Sequence, residues 1–448
     1  MTALSLARET ARDIEPRALT GTVTAVRGLS VLVEGLPLPV GAQVRLVRRG
    51  PGWDELRGAI VGFDGERAIV MLYGTSVGVG PGTAVCGEQS SPMVSVGESL
   101  LGRVIDGLGR PLDEQPPPVL MARRLLLPPT ISAMRRRRIA EPMVTGVRSI
   151  DGMLTLGRGQ RIGVFSGAGV GKSTLIASIA RHASSDVNVI ALIGERGREV
   201  RDFLDEALGP EGLARSVVIV ATGDEPPLLR VRAAYLASTI AEYFRDEGAD
   251  VMLMMDSVTR FAQAQRQIGL AVGEPPATKG YTPSVFASLP VLLERAGALQ
   301  RGGSITGLYA VLVEGDDLNE PISDAARGIL DGHLVLSRRL ASRGHFPAVD
   351  VTASISRVAD DVCDDTHIAA RYLLRRLIAA HEEAWDLIQV GAYVEGSDPA
   401  VDAALTLQES ILNFLQQSPR DAGAYPETCA ALVDLAMQAN ALMEGARS

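Results

Sequence analysis

Short apolar runs alternate with Gly, Pro or charged turns from residue 18 to about residue 92. The runs are rich in β-branched residues and recur at the regular spacing that is typical of the strands of a small barrel. They cover residues 21–26, 30–33, 43–47, 59–63 and 68–72. The pattern therefore predicts a β-barrel domain over residues 18–95. Residues 1–17 form a tail whose apolar spacing fits a short amphipathic helix, a partner-binding segment or a frayed terminus.

Longer apolar runs alternate with helical patterns between residues 159 and 360. Strand-like runs cover 162–165, 187–193, 217–220, 251–255 and 305–313, and helical periodicity covers 173–183, 228–247 and 285–296. Strands that alternate with helices form a mainly parallel sheet with helices on both faces. We therefore expect an α/β domain over residues 159–360.

After residue 360 the strand pattern ends and long amphipathic patterns follow. They cover 366–390, 399–417 and 426–444, with apolar residues at helical spacing. This pattern predicts a helical C-terminal domain over residues 361–448. Between the barrel and the α/β domain, residues 96–158 are turn-rich and are expected to form a linker and entry segment. The four arginines at 135–138 are interpreted as a solvated face rather than a grip on an acidic partner.

The charge balance limits the classes of partner. The 448 residues include 44 Lys+Arg and 53 Asp+Glu, which gives a net charge of −9. A protein that follows a nucleic-acid backbone usually has the opposite balance in at least one domain. Residues 1–95 contain nine arginines, nine acidic residues and three aromatic residues. A basic groove with base-stacking platforms is therefore not expected, and neither is a nucleic-acid partner.

The compartment follows from three further features of the sequence. No apolar run approaches the ~18 residues that a membrane-spanning helix requires. The first residues carry charges early and have no apolar stretch, so no signal peptide is expected. Cys86, Cys363 and Cys429 are far apart in sequence and lack a metal-binding spacing. These features favour a cytoplasmic protein with reduced thiols.

A glycine-rich segment joins the first strand of the α/β domain to its first helix. In such a loop the backbone N–H groups surround phosphate oxygens, and the helix N-terminus adds favourable partial charge. Lys172 would reach the β- and γ-phosphates of a nucleotide, and the Ser173 hydroxyl would bind Mg²⁺. The predicted phosphate-binding residues are Ser166, Gly167, Ala168, Gly169, Val170, Gly171, Lys172, Ser173 and Thr174. Ser166 replaces the usual first glycine, and the alternative interpretation is a glycine-rich turn without a ligand.

Charged residues follow two other predicted strands of the same domain. Asp256 ends the apolar run 251–255, where a carboxylate can hold Mg²⁺, often through water. Glu195 follows the run that ends at Ile193 and could orient a water molecule against the γ-phosphate, with Arg196 neutralising charge nearby. The alternative is an exposed charge cluster at the start of a helix. Arg357 ends the turn-rich segment 347–357, and by its chemistry alone it is an ordinary surface arginine.

These motifs resemble those of the rotary ATPase superfamily, and within it the flagellar type III protein-export ATPases, from about residue 18 to residue 417. The superfamily features are 101–106, 145–151, 157–163, 194–199, 347–356 and the glycine-rich loop. The export branch is indicated by 255–266, 273–281, 293–297, 330–339 and 396–399. The stretch 273–281, Gly-Glu-Pro-Pro-Ala-Thr-Lys-Gly-Tyr, favours the flagellar branch over the virulence injectisome branch. The resemblance implies a RecA-like phosphate-loop ATPase domain at the centre of the chain.

The resemblance also implies roles for the charged residues of the loop and its neighbours. Lys172 and Ser173 correspond to the phosphate and Mg²⁺ contacts, and Asp256 corresponds to the aspartate on the Mg²⁺ side. Glu195 corresponds to the glutamate that polarises the attacking water. Arg196 corresponds to an arginine close to the γ-phosphate. ATP and Mg²⁺ are thus the implied ligands.

Three further residues correspond to positions at the edge of the family's nucleotide site. Arg357 corresponds to an arginine finger that a neighbouring subunit contributes. His367 stands where the family usually stacks a tyrosine on adenine, and a neutral imidazole can also stack. Pro419 stands where the catalytic subunit of ATP synthase has another adenine-side aromatic residue.

The function implied by the resemblance is a Mg-dependent ATP hydrolase that drives unfolding of export substrates and their delivery to a membrane export gate. The implied partners are further copies in a homo-hexameric ring, export regulators, a stalk protein, the export gate, substrates and chaperones. The implied location is cytoplasmic, peripheral at the inner face of the cytoplasmic membrane. The alternatives are an injectisome secretion ATPase, a subunit of an ion-translocating rotary ATP synthase and an RNA-translocating hexameric helicase. The neutral barrel argues against the helicase.

Overall fold

The computed structural model describes residues 19–47, 55–313, 315 and 317–445. The predicted tail, residues 1–17, lies outside the described residues. Among the described residues, no helix is both long enough and apolar enough to cross a membrane.

A closed six-stranded barrel forms the N-terminal domain, as the alternating pattern predicts. The strands are β1 Thr20–Arg27, β2 Ser30–Glu34, β3 Gln43–Val47, β4 Leu56–Asp64, β5 Arg67–Leu72 and β6 Ala84–Gln89. They pair in the order β1-β2-β5-β4-β3-β6. Inward-facing apolar side chains such as Val33, Val44, Leu46 and Val70 have no exposed surface, because one residue in two along each strand faces the interior.

A mainly parallel sheet forms the centre of the molecule. Its strands are β8 Val104–Asp106, β12 Arg161–Ser166, β13 Val187–Ile193, β14 Ser216–Ala221, β15 Asp250–Asp256, β16 Gly297–Ala298, β17 Ser304–Leu312, β18 Gly332–Leu336 and β19 Val349–Ser356. The order is β19-β18-β12-β17-β15-β13-β14-β8, and β16 pairs with β17. Only β16 and β19 pair antiparallel. Small pairs flank the sheet: β7 Met93–Val96 with β9 Ala122–Leu125, and β10 Pro142–Met143 with β11 Leu156–Gly157.

Helices cover both faces of this sheet, so the prediction of a mainly parallel, two-sided α/β domain is confirmed. They are α1 Arg148–Met153, α2 Lys172–His182, α3 Gly197–Asp202, α4 Gly209–Ala214, α5 Pro227–Asp246, α6 Val258–Ala271, α7 Pro283–Leu293, α8 Pro321–Ile329, α9 Arg338–Ser342 and α10 Ala359–Val362, with a π-helix over Phe203–Leu208. Adjacent residues of β13 enter opposite cores: Val189 packs with α5 and α6, and Ile190 packs with α2.

The C-terminal region is helical, as predicted. It consists of α11 Asp365–Gln389, α12 Pro399–Thr406, α13 Gln408–Leu415 and α14 Tyr425–Gly445. The single pattern predicted over 399–417 is divided at Leu407, which caps one helix and precedes the next. Leu374, Leu377 and Leu432 of this region join the core that contains α2. The C-terminal helices contact α1 and share one hydrophobic core with the helix that follows the glycine-rich loop.

Two features of the segment predicted to be a linker differ from expectation. Val104–Asp106 forms a strand that pairs with β14 at the sheet edge. Three residues between turns are too short to produce a recognisable strand pattern. Arg136 is not part of a solvated face: its guanidinium donates to the backbone oxygens of Glu294 and Ala296. It therefore fastens the segment to the α/β domain.

Candidate active site

The glycine-rich loop lies between β12, which ends at Ser166, and α2, which begins at Lys172. Gly169 and Gly171 have φ values of 77° and 89°, a backbone conformation that favours glycine and turns successive N–H groups towards one centre. A Cβ atom added at Gly169 would meet no atom within 4 Å. Ser166 is buried, and its hydroxyl oxygen has no hydrogen-bond partner. The loop therefore has open space beside Gly169, where a phosphate group could bind.

The structure brings three of the predicted charged residues together beside this loop. Lys172 Nζ forms a hydrogen-bonded ion pair with Asp256 Oδ1 and lies 3.8 Å from Glu195 Oε1. The reason is topological: β13 and β15 are neighbouring parallel strands, with Leu192 opposite Asp256. Residues that follow parallel strands meet at the carboxyl edge of a sheet, which is the usual ligand edge. One cation therefore faces two carboxylates.

The Glu195 carboxyl group has an unusual acidity for a glutamate. Burial, the negative charge of Asp256 and contact with Glu199 together raise its pKa to about 7, although the Lys172 ammonium opposes them. A carboxyl group that titrates near neutral pH can both hold and release a proton during a reaction. Perturbed acidity in a cleft beside a phosphate-type loop is characteristic of catalytic sites.

The two predicted arginines do not join this cluster within one chain. The Arg196 side chain is 85% exposed and pairs with Glu199. Arg357 is exposed and follows β19, which runs antiparallel to β18. Its N–H donates to the carbonyl of Asp331, immediately before β18. Arg357 therefore lies at the opposite edge of the sheet from the glycine-rich loop and cannot reach its own chain's loop.

His367 is not placed for stacking on a base. Its side chain is buried, its Nε2 lies 2.8 Å from the carbonyl oxygen of Gly152, and Cys429 Sγ lies 3.5 Å from its Nδ1. The ring is thus enclosed between α1 and α14, away from the loop. The prediction that His367 contacts adenine is wrong, because alignment by sequence position alone cannot show which way the first turn of α11 faces.

An aromatic residue that the sequence reasoning missed lies beside the loop instead. A cavity of about 270 Å³ is lined by Gly171, Thr174, Phe346 and Pro419, among others. Phe346 is 43% exposed, and its ring would lie 3.5 Å from a Cβ atom added at Gly171. The available sequence signal was an aromatic residue immediately before the turn-rich segment 347–357. Pro419 lies in the same cavity, so that position does face the site, without an aromatic ring.

Gln417 joins three segments that build this cavity. Its N–H donates to the carbonyl of Phe346 (3.0 Å), and its side-chain oxygen accepts from the N–H of Arg148 (2.8 Å). Its side-chain amide donates to the carbonyls of Gly146 (2.8 Å) and Asp421 (2.7 Å). Gln417, which follows α13, therefore holds together the segments that line the cavity.

The residues present fit a magnesium ion bound together with a nucleotide. Ser173, in the first turn of α2, is exposed beside the loop, and the Asp256 carboxylate accepts a hydrogen bond from the adjacent Lys172. Mg²⁺ prefers oxygen ligands and is usually held by one or two protein groups with phosphate oxygens and water. Among the described residues there is no cluster of three or more His, Cys, Asp and Glu side chains suited to a metal.

Comparison with protein families assigns two parts of the chain. The nucleotide-binding domain of the ATP synthase alpha/beta family matches residues 146–356. The C-terminal domain of the type III secretion EscN ATPases matches residues 363–434. The first match contains the glycine-rich loop, both carboxylates and Phe346, and the second contains His367 and the C-terminal helices as far as residue 434.

Relatives match nearly the whole length of the chain. A flagellum-specific ATP synthase of Bacillus subtilis is 49% identical over 93% of this chain and 94% of the relative. A type 3 secretion system ATPase of Xanthomonas euvesicatoria is 48% identical over 91% of this chain and 92% of the relative. The solved structure of the assembled ATPase EscN with its central stalk EscO, from enteropathogenic E. coli, superposes with a TM-score of 0.86. It is 42% identical and covers 93% of this chain and all of that one.

Proposed function

The chain belongs to the family of flagellum-specific ATP synthases and type III secretion ATPases, and from this membership we propose that it hydrolyses Mg-ATP to energise flagellar protein export. The observation that carries the proposal is the cluster of Lys172, Asp256 and Glu195 at the mouth of the glycine-rich loop. A phosphate loop alone is consistent with binding. A carboxyl group of raised pKa beside it adds the means to act on a water molecule.

Each residue of the proposed site has a distinct role. The loop N–H groups and Lys172 bind the phosphates, and Lys172 exchanges its present partner Asp256 for phosphate oxygens. Ser173 and Asp256 would hold Mg²⁺, which would supply positive charge to the phosphates. Glu195, freed from the positive field of Lys172, orients the attacking water and takes its proton. Phe346 stacks on the adenine.

The direct test measures phosphate release from ATP by the purified chain, together with ATP binding by calorimetry. We expect release to require Mg²⁺ and to stop when a chelator is added, and we expect release not to respond to RNA. Binding without hydrolysis under any assembly condition would reduce the proposal to a nucleotide-binding protein. Stimulation by RNA would favour the helicase alternative instead.

The flagellar role is tested separately, in cells of the source organism. Deletion of the gene is expected to abolish motility and secretion of flagellar subunits, and the intact gene, but not a Lys172→Ala copy, is expected to restore both. Normal motility with loss of virulence-type secretion would assign the chain to the injectisome branch. A defect in ATP synthesis would assign it to an ion-translocating rotary complex.

Phe346→Ala is expected to raise the KM for ATP by about tenfold to a hundredfold, because stacking on a base contributes about 1–3 kcal/mol. The turnover number should change much less, since the aromatic ring is remote from the reacting phosphate. Steady-state kinetics measure both quantities. Phe346→Tyr is the matched control and should retain the wild-type KM. An unchanged KM in Phe346→Ala would place adenine elsewhere.

The rate is expected to depend on pH through Glu195. Because its pKa is about 7 and only the ionised form accepts a proton, kcat/KM should fall about tenfold per pH unit below that value and level off above it. The phosphates of ATP also titrate in this range, so one profile is insufficient. Glu199→Ala removes a contact that raises the pKa of Glu195, and should move the midpoint to lower pH. Identical profiles for the two proteins would contradict the assignment.

We further propose that the active form is a homo-hexameric ring in which Arg357 serves the neighbouring subunit. The support is the position of Arg357 at the far edge of its own sheet, together with the assembled state of the related EscN. That relative also binds a central stalk, so a stalk protein is proposed as a partner here. Export regulators, the export gate, substrates and chaperones complete the proposed partners. The proposed location is cytoplasmic, peripheral at the inner face of the membrane that holds the export machinery.

A further inference from the structure

Two of the three cysteines, distant in sequence, meet in the C-terminal region. Cys363 immediately follows α10, and Cys429 lies in the first turns of α14. His367, in the first turn of α11, and Tyr425, the first residue of α14, complete a group of four that we call the thiol cluster. The function proposed above uses none of the four. Both cysteines are half-buried free thiols.

The hydrogen bonds of His367 fix how its ring meets the thiols. Nε2 lies 2.8 Å from the carbonyl oxygen of Gly152, which can only accept, so Nε2 carries a hydrogen. Nδ1 faces Cys429 Sγ at 3.5 Å. In the neutral ring Nδ1 is therefore an acceptor, and it is aimed at a thiol. A histidine held by a carbonyl on one side and facing sulfur on the other is arranged as a base for that sulfur.

Both thiols converge on the same two side chains. His367 has hydrogen-bond contact with Cys363 as well as with Cys429. The Tyr425 hydroxyl likewise contacts both cysteines. The two cysteines are thus neighbours of one imidazole ring and of one tyrosine side chain. Packing alone does not require two thiols beside one histidine, because a small apolar side chain could fill the space at position 363 or at position 429.

The electrostatics of the cluster favour a thiolate at Cys363. Burial opposes ionisation, but hydrogen bonds from His367 and Thr155 and the nearby Arg371 charge outweigh it and lower the pKa of Cys363. Burial lowers the pKa of His367, but its contacts with Cys363, Cys429 and the carbonyl of Gly152 outweigh this and raise it to about 10. The thiolate is the reactive form of cysteine. Cys86, which is also half-buried, lies on β6 of the barrel and is not part of this cluster.

We propose that Cys363 and Cys429 form an oxidisable dithiol pair that reacts with hydrogen peroxide to give a reversible disulfide. The Cys363 thiolate attacks one peroxide oxygen, breaks the O–O bond and releases hydroxide, which leaves a sulfenic acid. The Cys429 thiol then attacks the sulfenic sulfur, and water leaves as the S–S bond forms. Each disulfide consumes one peroxide and two thiols, and a cellular dithiol reductant restores the pair.

The bond would join α14 to the segment between β19 and α11. That segment begins at Arg357, the arginine proposed to serve the neighbouring subunit. Oxidation would therefore link α14 covalently to the segment that carries Arg357. In a reducing compartment such a bond is transient, as expected of a regulatory rather than a structural disulfide.

The decisive experiment uses the full-length wild-type protein without substitutions. It is treated with a small molar excess of hydrogen peroxide, alkylated, digested without reductant and analysed by mass spectrometry. We expect a peptide pair joined through Cys363 and Cys429, lighter by two hydrogens than the sum of its parts and separated by dithiothreitol, while Cys86 stays alkylated as a thiol. Oxidation of Cys86 at an equal rate, or stable sulfinic acid at Cys363 without the joined pair, would overturn the proposal.

Variants then test the order of the steps. In Cys429→Ser, Cys363 should stop at the sulfenic acid and be trapped by dimedone. In His367→Asn, alkylation of Cys363 by iodoacetamide should slow at least about tenfold, since the thiolate fraction falls. Cys86→Ser is the matched control and should leave both results unchanged. An undiminished alkylation rate in folded His367→Asn would remove the histidine from the proposal, and the wild-type digest decides the disulfide independently of either variant.

Discussion

Replacement of Glu195 by glutamine is expected to reduce ATP turnover by at least about 10²-fold and to leave ATP binding intact. The amide keeps the shape and hydrogen bonding of the carboxyl group but cannot accept a proton. Removal of one of two carboxylates beside Lys172 also relieves repulsion of the incoming phosphates, so affinity should be equal or higher. Single-turnover phosphate release measures the chemical step, and calorimetry measures the dissociation constant.

Lys172→Ala is the contrasting change at the same site. Lys172 supplies the cation that faces the phosphates, so both binding and turnover should be lost. Glu199→Gln is the matched control for Glu195→Gln: it is the same chemical change at a more exposed position four residues later, and should preserve most activity. Wild-type turnover in Glu195→Gln would remove this carboxyl group from the mechanism, and parallel loss of binding would show that it acts structurally.

Arg357→Ala is expected to reduce turnover by about 10³–10⁵-fold, the usual effect of an arginine that stabilises the charge of phosphoryl transfer. The defect should be repairable in trans. In a mixture of Arg357→Ala with Lys172→Ala, some interfaces pair an intact loop with an intact Arg357 from the neighbouring chain. Activity should therefore reappear on mixing, and wild-type activity should rise cooperatively with protein concentration as rings close.

The mixing experiment has an internal control in a second pair of variants. Lys172 and Glu195 lie 3.8 Å apart in one chain, so a mixture of Lys172→Ala with Glu195→Gln contains no complete site at any interface. That mixture should remain inactive. Absence of recovery in the first mixture, although mixed rings are seen by native mass spectrometry, would contradict the action of Arg357 across the interface. Full activity of the monomer would contradict it as well.

Much of this architecture was predictable because its signals are periodic or local. The apolar runs of the central sheet form strands at the positions where β-branched residues cluster, and the glycine-rich loop precedes α2 as its spacing indicates. Glu195 and Asp256 could be placed at one edge because parallel strands end together. These inferences require only sequence periodicity and the geometry of a parallel sheet.

The failures concern features set by tertiary packing. Whether His367 faces the nucleotide or the core depends on the rotation of α11 against α1 and α14, which no short pattern encodes. The strand Val104–Asp106 is stabilised by pairing with β14, whose partner could not be known beforehand. Arg136 belonged to a run of four arginines, and only its contact with backbone carbonyls distinguishes it from the exposed Arg138. Phe346 was overlooked because it lies alone in a turn.

The bonds of Gln417 have a mechanical consequence for the molecule. Its hydrogen bonds connect the C-terminal helices to Phe346, Gly146 and Arg148. If these helices move, either these hydrogen bonds are strained or Phe346 moves with the helices. A push on these helices from the stalk protein proposed above would thereby change the affinity for ATP. By reciprocity, ATP binding would change the position that the helices favour. Gln417 would then couple nucleotide binding to movement of the C-terminal helices.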